Sequence, residues 1–113
     1  MSANTKYSPE AVESVIEYWF PEPEYQGLAK SIFRCESKYN NLAVNWNDIK
    51  LNGHASVGVA QVSLLHKYEF EYLLNPYNNL KVARELFEKS GKSFRPWLNC
   101  MKIAKRPSVE TWG

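Results

Sequence analysis

Val12, Val15, Ile16, Trp19 and Phe20 recur at the i, i+3, i+4 spacing of one helix face, with Ser8 placed to cap the helix and Pro9 suited to its first position. Pro21 and Pro23 stop it. A second helix is predicted over about 24–37, with Leu28, Ile32 and Cys35 on one side and Lys30, Arg34 and Lys38 opposite. From 39 to 62 the periodicity disappears. Asn40, Asn41, Asn45, Asn47, Asn52, Gly53 and Gly58 mark turns there, interrupted by short β-favouring pieces at Val44 and at 57–62. An irregular segment of this length inside a compact domain, too apolar for disorder, reads as functional. Helices are predicted again over about 63–74 and 78–90, where Gly91 supplies a C-terminal cap, and a short one over about 96–104. The pattern predicts a mainly helical α+β domain with a small irregular or β-hairpin insertion.

With 113 residues, 44% of them hydrophobic, and no repeat or linker, the chain is read as one domain over 1–113. Fourteen Lys and Arg against twelve Asp and Glu leave a charge of only +2, and the basic residues are scattered, so no footprint for nucleic acid is expected. No apolar run approaches the ~20 residues a membrane helix needs. Glu10, Glu13 and Glu17 do not fit a secretory signal peptide. Two Cys with no His at ligand spacing make no zinc site, and no cofactor is expected. His54 and His66 have no nucleophilic partner at a telling spacing and are assigned nothing. Four Trp and seven Tyr suit half-wet pockets, sugar sites among them, as well as ordinary packing.

One acidic residue sits on the wrong face of its helix. At ~100° per residue Glu36 falls about 80° from Leu28, on the apolar side and away from the three bases. Burial there would raise its pKa above the ~4.3 of a free Glu and make it an acid at neutral pH, able to protonate a leaving-group oxygen. The plainer alternative is a last-turn residue that reaches water.

The run Cys35-Glu36-Ser37-Lys38-Tyr39-Asn40, then Ala43-Val44-Asn45, then Ser56-Val57-Gly58-Val59-Ala60-Gln61-Val62, resembles the catalytic core of the soluble-type lytic transglycosylase family, related to goose-type lysozyme. Asn75-Pro76-Tyr77-Asn78-Asn79-Leu80 resembles the start of the family's next helix, and Phe94-Arg95-Pro96-Trp97 its closing Phe-x-x-Trp segment. Each piece alone is common; four in order, covering about 28–100, are specific. The resemblance implies a lysozyme-like two-lobed fold and cleavage of peptidoglycan glycan strands. Glu36 would be the single acid/base at the cleft floor, with Ser37 beside it. Gly58 would let the backbone approach the sugar, and Gln61 would hydrogen-bond substrate. Asn45 and Ser56 would line or brace the opposite wall. Asn79 would contact sugar or, more simply, tie its helix to the lobe. Trp46, in the polar lobe, is the preferred stacking platform, and Trp97 is a further aromatic candidate.

In that family the Glu protonates the oxygen between N-acetylmuramic acid and N-acetylglucosamine, then takes the proton of the C6 hydroxyl, giving a 1,6-anhydro end. The runner-up is lysozyme-type hydrolysis, in which Asp48, the only Asp in the chain, would hold a water. A non-catalytic wall-binding or virion protein is the rival from another class. Two departures stand out. The family's Ala-Tyr-Asn segment is absent, leaving Trp97, Tyr77 or Phe87 to fill that space, and the usual Gly-Leu-Met-Gln is Gly-Val-Ala-Gln. Cys35 and Cys100 would meet if the last short helix packs on the second, or remain two free thiols. A bridge would fit action in the envelope, the periplasm or outside the cell. A monomer is expected.

Overall fold

The computed structural model describes residues 5–105; the ends of the predicted 1–113 domain lie outside the described residues. Helix α1 (Pro9–Trp19) begins as its sequence dictates, the Ala11 amide donating to Ser8 Oγ at 3.1 Å, and ends with the Phe20 amide on the Ile16 carbonyl. Helix α2 (Pro23–Ser37) follows after a three-residue corner. That corner is fixed from the far side of the fold. Arg84 forks onto Glu22, Nη1 to Oε1 at 2.8 Å and Nη2 to Oε2 at 2.6 Å, and Nη1 also donates to the Trp19 carbonyl. The hydrogen bonds from Arg84 hold the Glu22 carboxyl down at about 2.

The buried stripe of α2 is Ala29, Ile32, Phe33 and Ser37. It is rotated from the predicted Leu28, Ile32, Cys35 face, because Phe33 carries more apolar surface than Cys35 and turns inward. Phe33 meets Phe20 at 5.6 Å between ring centroids and Trp97 at 5.4 Å, and Phe20 continues to Phe87 at 5.3 Å. These rings join α1 and α2 to α5 (Pro76–Lys89), whose buried face is Asn79, Leu80, Val82, Ala83 and Phe87. The Asn75 side chain caps α5 by accepting from the Tyr77 and Asn78 amides. Pro76 occupies the first position, so the helix starts two residues before the predicted Asn78. Helix α6 (Leu98–Ala104) packs against α2 and is tied to it by a disulfide between Cys35 and Cys100, with 5.7 Å between their Cα atoms. The open choice between bridge and free thiols resolves to the bridge.

Residues 40–66 form a small lobe. Strands β1 (Val44–Asn45), β2 (Ser56–Val57) and β3 (Val62–Ser63) make a three-stranded antiparallel sheet in the order β1-β2-β3, with Val44 opposite Val57 and Val57 opposite Val62. The short helix α3 (Asp48–Asn52) lies within the segment read as loop. The helix predicted over 63–74 is two pieces, a 3₁₀ turn at Leu64–His66 and helix α4 (Phe70–Leu74). Ser63 caps the turn through the Leu65 amide, and Lys67, at φ 66°, leaves the helical region. The molecule is thus a mainly helical α+β fold with a small antiparallel sheet. No helix among the described residues is long and apolar enough to cross a membrane.

Candidate functional site

Glu36 lies in the last turn of α2, half-buried at the edge of its apolar stripe. Immediately after it, Lys38 and Tyr39 both take left-handed backbone, at φ 55° and 61°, which costs about 1–2 kcal/mol at each non-glycine residue. This double turn carries the chain from α2 into the small lobe. Tyr39 secures it from below, its buried Oη donating to the Lys30 carbonyl at 2.8 Å. Strain of this kind persists only where the surroundings impose it.

Burial pushes the Glu36 carboxyl up to about 7, and the charge of Asp48 adds to the rise. No donor or cation among the described residues offsets the effect by bonding to it. Asp48 opens α3 and is held from two sides: Ser56 Oγ donates to its Oδ2 at 2.5 Å, and Asn45 Nδ2 donates to its Oδ1 at 3.2 Å. Asn45 is itself oriented by the Asn47 amide, which donates to its Oδ1 at 3.0 Å. Glu36, Asp48, Asn45, Ser56, Gln61 and the edge of Trp97 all line one cleft of about 460 Å³ between the helical body and the small lobe. Two carboxyl groups therefore share one solvent-accessible space in different settings. Glu36 is undersolvated and without a donor, whereas Asp48 accepts two hydrogen bonds.

The turn joining β2 to β3 forms the cleft's inner wall and is gripped by three buried side chains. Ser37 Oγ donates to the Val59 carbonyl at 2.7 Å, Trp97 Nε1 donates to the Ala60 carbonyl at 2.7 Å, and Asn79 uses both ends of its amide. Asn79 Oδ1 accepts from the Ala60 amide at 2.9 Å, while its Nδ2 donates to the carbonyls of Val57 and Leu73 at 2.8 and 3.0 Å. Gly58 sits at φ +82°, and a Cβ there would run into Asn79 Nδ2 and the Leu73 carbonyl. The turn ends on Gln61 at φ 51°, whose Nε2 donates to the carbonyls of Gly58 and Ala43 and whose Oε1 has no partner among the described residues.

These contacts show where the expected site residues stand. Asn79 is 0% exposed with its side chain fully engaged, in keeping with the simpler of its two readings, a tie between its helix and the turn. Gly58 leaves room for Asn79, where a Cβ would clash. Ser37 is likewise committed to backbone. Trp97, 5% exposed, contributes a ring edge to the cleft wall and no open face. Trp46 is 61% exposed and stacks on Phe70 at 6.4 Å, but it stands outside the lining of the cleft. Of the residues named to fill the space of the family's tyrosine, Trp97 reaches the cleft. Tyr77 packs instead on Tyr18 and Trp19, and Phe87 lies in the core.

Sequence reasoning missed His66, Leu86, Pro96 and Asn99, which also line the cleft. Leu86 follows from α5 periodicity, but nothing in the sequence singles out the other three. Two larger hollows flank α2, of about 610 and 730 Å³. Among their charged groups Lys30 pairs with Glu17 at 2.6 Å and Arg34 with Glu13 at 3.7 Å. No protein-family model, no curated protein and no solved structure matches the chain.

Proposed function

We propose that this protein is a lysozyme-like relative of the soluble-type lytic transglycosylases and cleaves the glycan strands of peptidoglycan, with Glu36 as proton donor. The observation that carries this reading is a carboxyl raised to about 7 at the wall of a cleft, with no hydrogen-bonding or cationic partner among the described residues to ionise it. Glu36 protonates the oxygen linking N-acetylmuramic acid to N-acetylglucosamine, and the bond to the muramic acid C1 breaks. The substrate's N-acetyl group stabilises the resulting cation. Glu36, now a carboxylate, takes the proton of the C6 hydroxyl as that oxygen bonds to C1, which leaves a 1,6-anhydro end and restores the acid. The tethered hydroxyl has the entropic advantage of an intramolecular nucleophile. Gln61 Oε1 is free to accept from a substrate hydroxyl or amide. The Cys35–Cys100 bridge fits action in an oxidising space, at the envelope or beyond the cell.

A second reading, hydrolysis, is favoured by one feature, the position of Asp48 in the same cleft with Ser56 and Asn45 fixing its carboxylate. A carboxylate so placed can hold a water for attack on C1. The test is clearing of a purified cell-wall suspension by the wild type and by Glu36→Gln. Loss of clearing in a variant that stays folded supports the enzyme. Sedimentation with wall but no clearing by either protein supports the non-catalytic rival. Mass spectrometry of released fragments separates the two routes, since an anhydro end lacks one water relative to a hydrolysed end.

A further inference from the structure

The disulfide stands at the cleft itself. Cys35 is the residue before Glu36, and Cys100 lines the same cleft as Glu36. The two halves of the bridge differ in access: Cys35 is exposed, at the edge of two hollows beside α2, whereas Cys100 is buried. A thiol in solution therefore meets the bridge from the Cys35 side.

Little else holds α6. Only Cys100 of its seven residues is buried; Met101 and Ala104 are half-buried against the core, and the other four are exposed. Among the described residues no hydrogen bond or salt bridge joins a side chain of α6 to the body. Seven residues are also far fewer than the ~12–15 at which isolated helices become even marginal in water. The chain just before α6 is fixed quite differently. In the 3₁₀ turn Arg95–Trp97 the Trp97 ring packs on Phe33, and its Nε1 donates to the Ala60 carbonyl. A hinge thus falls between Trp97 and Leu98, with an anchored indole on one side and a helix held mainly by its bridge on the other.

We propose that the Cys35–Cys100 bridge is a redox switch on the cleft: a dithiol reductant opens it at Cys35, α6 comes off α2, and the wall beside Glu36 is lost. What is switched, glycan cleavage, rests on the reading above, whereas the opening itself does not. One thiolate of the dithiol attacks the Cys35 sulfur, the bond between the protein's two sulfurs breaks, and Cys100 leaves with the electron pair and takes up a proton. The second thiol then gives up its proton, closes on the first, and expels Cys35, which is protonated in turn. The dithiol ends as a disulfide, and the protein has gained two electrons and two protons. A disulfide oxidant drives the same steps backward.

The consequence for Glu36 follows from what α6 covers. Asn99 and Cys100 line the cleft with it, and once they are gone water reaches the carboxyl. Burial, the main cause of its raised pKa, is relieved. The other ionisable groups in the hollows that Glu36 lines, Asp48 and His66 from the lobe and Lys38 from its own turn, lie outside α6 and stay in place. With the bridge open, Glu36 gives up its proton at a lower pH and is a poor acid near neutrality. The protein is then inert where thiols are kept reduced and acquires its acid on oxidation.

The experiment follows the wild-type protein oxidised, reduced with dithiothreitol, and reoxidised, by NMR and by clearing of a cell-wall suspension. In the reduced protein the Met101 methyl resonance should move to the position of an unpacked methionine while amides of α5 keep their exchange protection. The Glu36 carboxyl midpoint should fall from about 7 toward 4.5, and clearing should drop by about a hundredfold. All of these should return on reoxidation. A Met101 methyl that stays packed, or a loss of α5 protection along with it, overturns the switch, because the bridge is then idle or a staple of the whole fold. Full clearing by a reduced protein whose α6 has opened overturns it too. If the oxidised protein clears nothing, the glycosidase reading fails, and the methyl and carboxyl signals still decide whether the bridge controls the cleft.

Discussion

The helical body is held by apolar burial, whereas the small lobe, which adds Val57, Val59, Ala60 and Val62 to the same core, also relies on buried side-chain hydrogen bonds. In the body, α1, α2 and α5 bury apolar stripes on one another, and Phe20, Phe33, Phe87 and Phe94 form a continuous ring cluster with Phe87 and Phe94 at 4.7 Å. In the lobe, each strand is two residues long, too short for a stable sheet by itself. There the backbone is satisfied by side chains reaching in from elsewhere. Asn79, Ser37 and Trp97 hold the turn between β2 and β3, and in the other direction Asn41 of the lobe, 0% exposed, reaches out to donate to the Leu74 and Thr5 carbonyls while accepting from the Tyr7 amide. Burial is nondirectional and tolerates adjustment, whereas buried hydrogen bonds fix position and are costly to leave half-made. The candidate acid comes from the first region and its facing groups from the second, so the cleft is as well defined as those side-chain bonds.

The sharpest way to break the contrast is in the body. Phe87→Ala, which empties the ring cluster, should lower global stability by about 3–5 kcal/mol in denaturant titration, with body and lobe unfolding together. Removing the bridge by Cys35→Ser with Cys100→Ser should cost about 4 kcal/mol in the chain-entropy account of a 65-residue separation. The same measurement in reductant should give a matching loss in the wild type and none in the variant. In the lobe, Asn79→Ala strands the Ala60 amide and two carbonyls and should cost about 2–4 kcal/mol. Here hydrogen exchange is the discriminating readout: the Ala60 amide should lose protection while amides of α2 and α5 keep theirs. Equal loss everywhere would mean the two regions are not separable.

The smallest effect sharpens the seam between them. The Glu36 carboxyl is raised in the fold, so folding favours its proton. Below its unfolded value near 4.5 both states are protonated and nothing is lost; as pH rises toward about 7 the fold progressively loses stability, and above that the penalty is constant. Glu36→Gln should therefore be indistinguishable from wild type at roughly pH 4 and more stable by about 1–2 kcal/mol at roughly pH 8, a figure discounted for the solvent that reaches this half-buried group. A stability difference independent of pH would contradict the assignment.

The body was largely legible because its stabilising force leaves a period in the chain. Ser8, Pro9 and the stripe from Val12 to Phe20 gave α1, and the end of α2 at Ser37 was read directly. The failures follow from contacts distant in sequence. Lys67 breaks a helical pattern without being Gly or Pro: it closes the 3₁₀ turn in left-handed backbone, its amide donating to the Leu64 carbonyl. Helix α3 has five residues and no apolar period to betray it. The roles of Asn79 and Trp97 depend on carbonyls up to 37 residues away, which no local spacing encodes. Glu36 was visible because it violates its helix's pattern. Asp48 stands out in the sequence only as the lone Asp; its place in the cleft with Glu36 depends on how Ser56 and Asn45 pair in the sheet.

A single carboxyl, raised by its surroundings to about 7, still holds a large share of its proton at neutral pH, and the direct measurement is a carbon-13 NMR titration of the Glu36 side-chain carboxyl in the folded wild-type protein. A midpoint at about 7, well apart from those of the exposed glutamates, is the predicted result. A midpoint near 4.5 would mean that Glu36 is ionised at neutral pH like an exposed glutamate, and would contradict the proposal that it donates a proton.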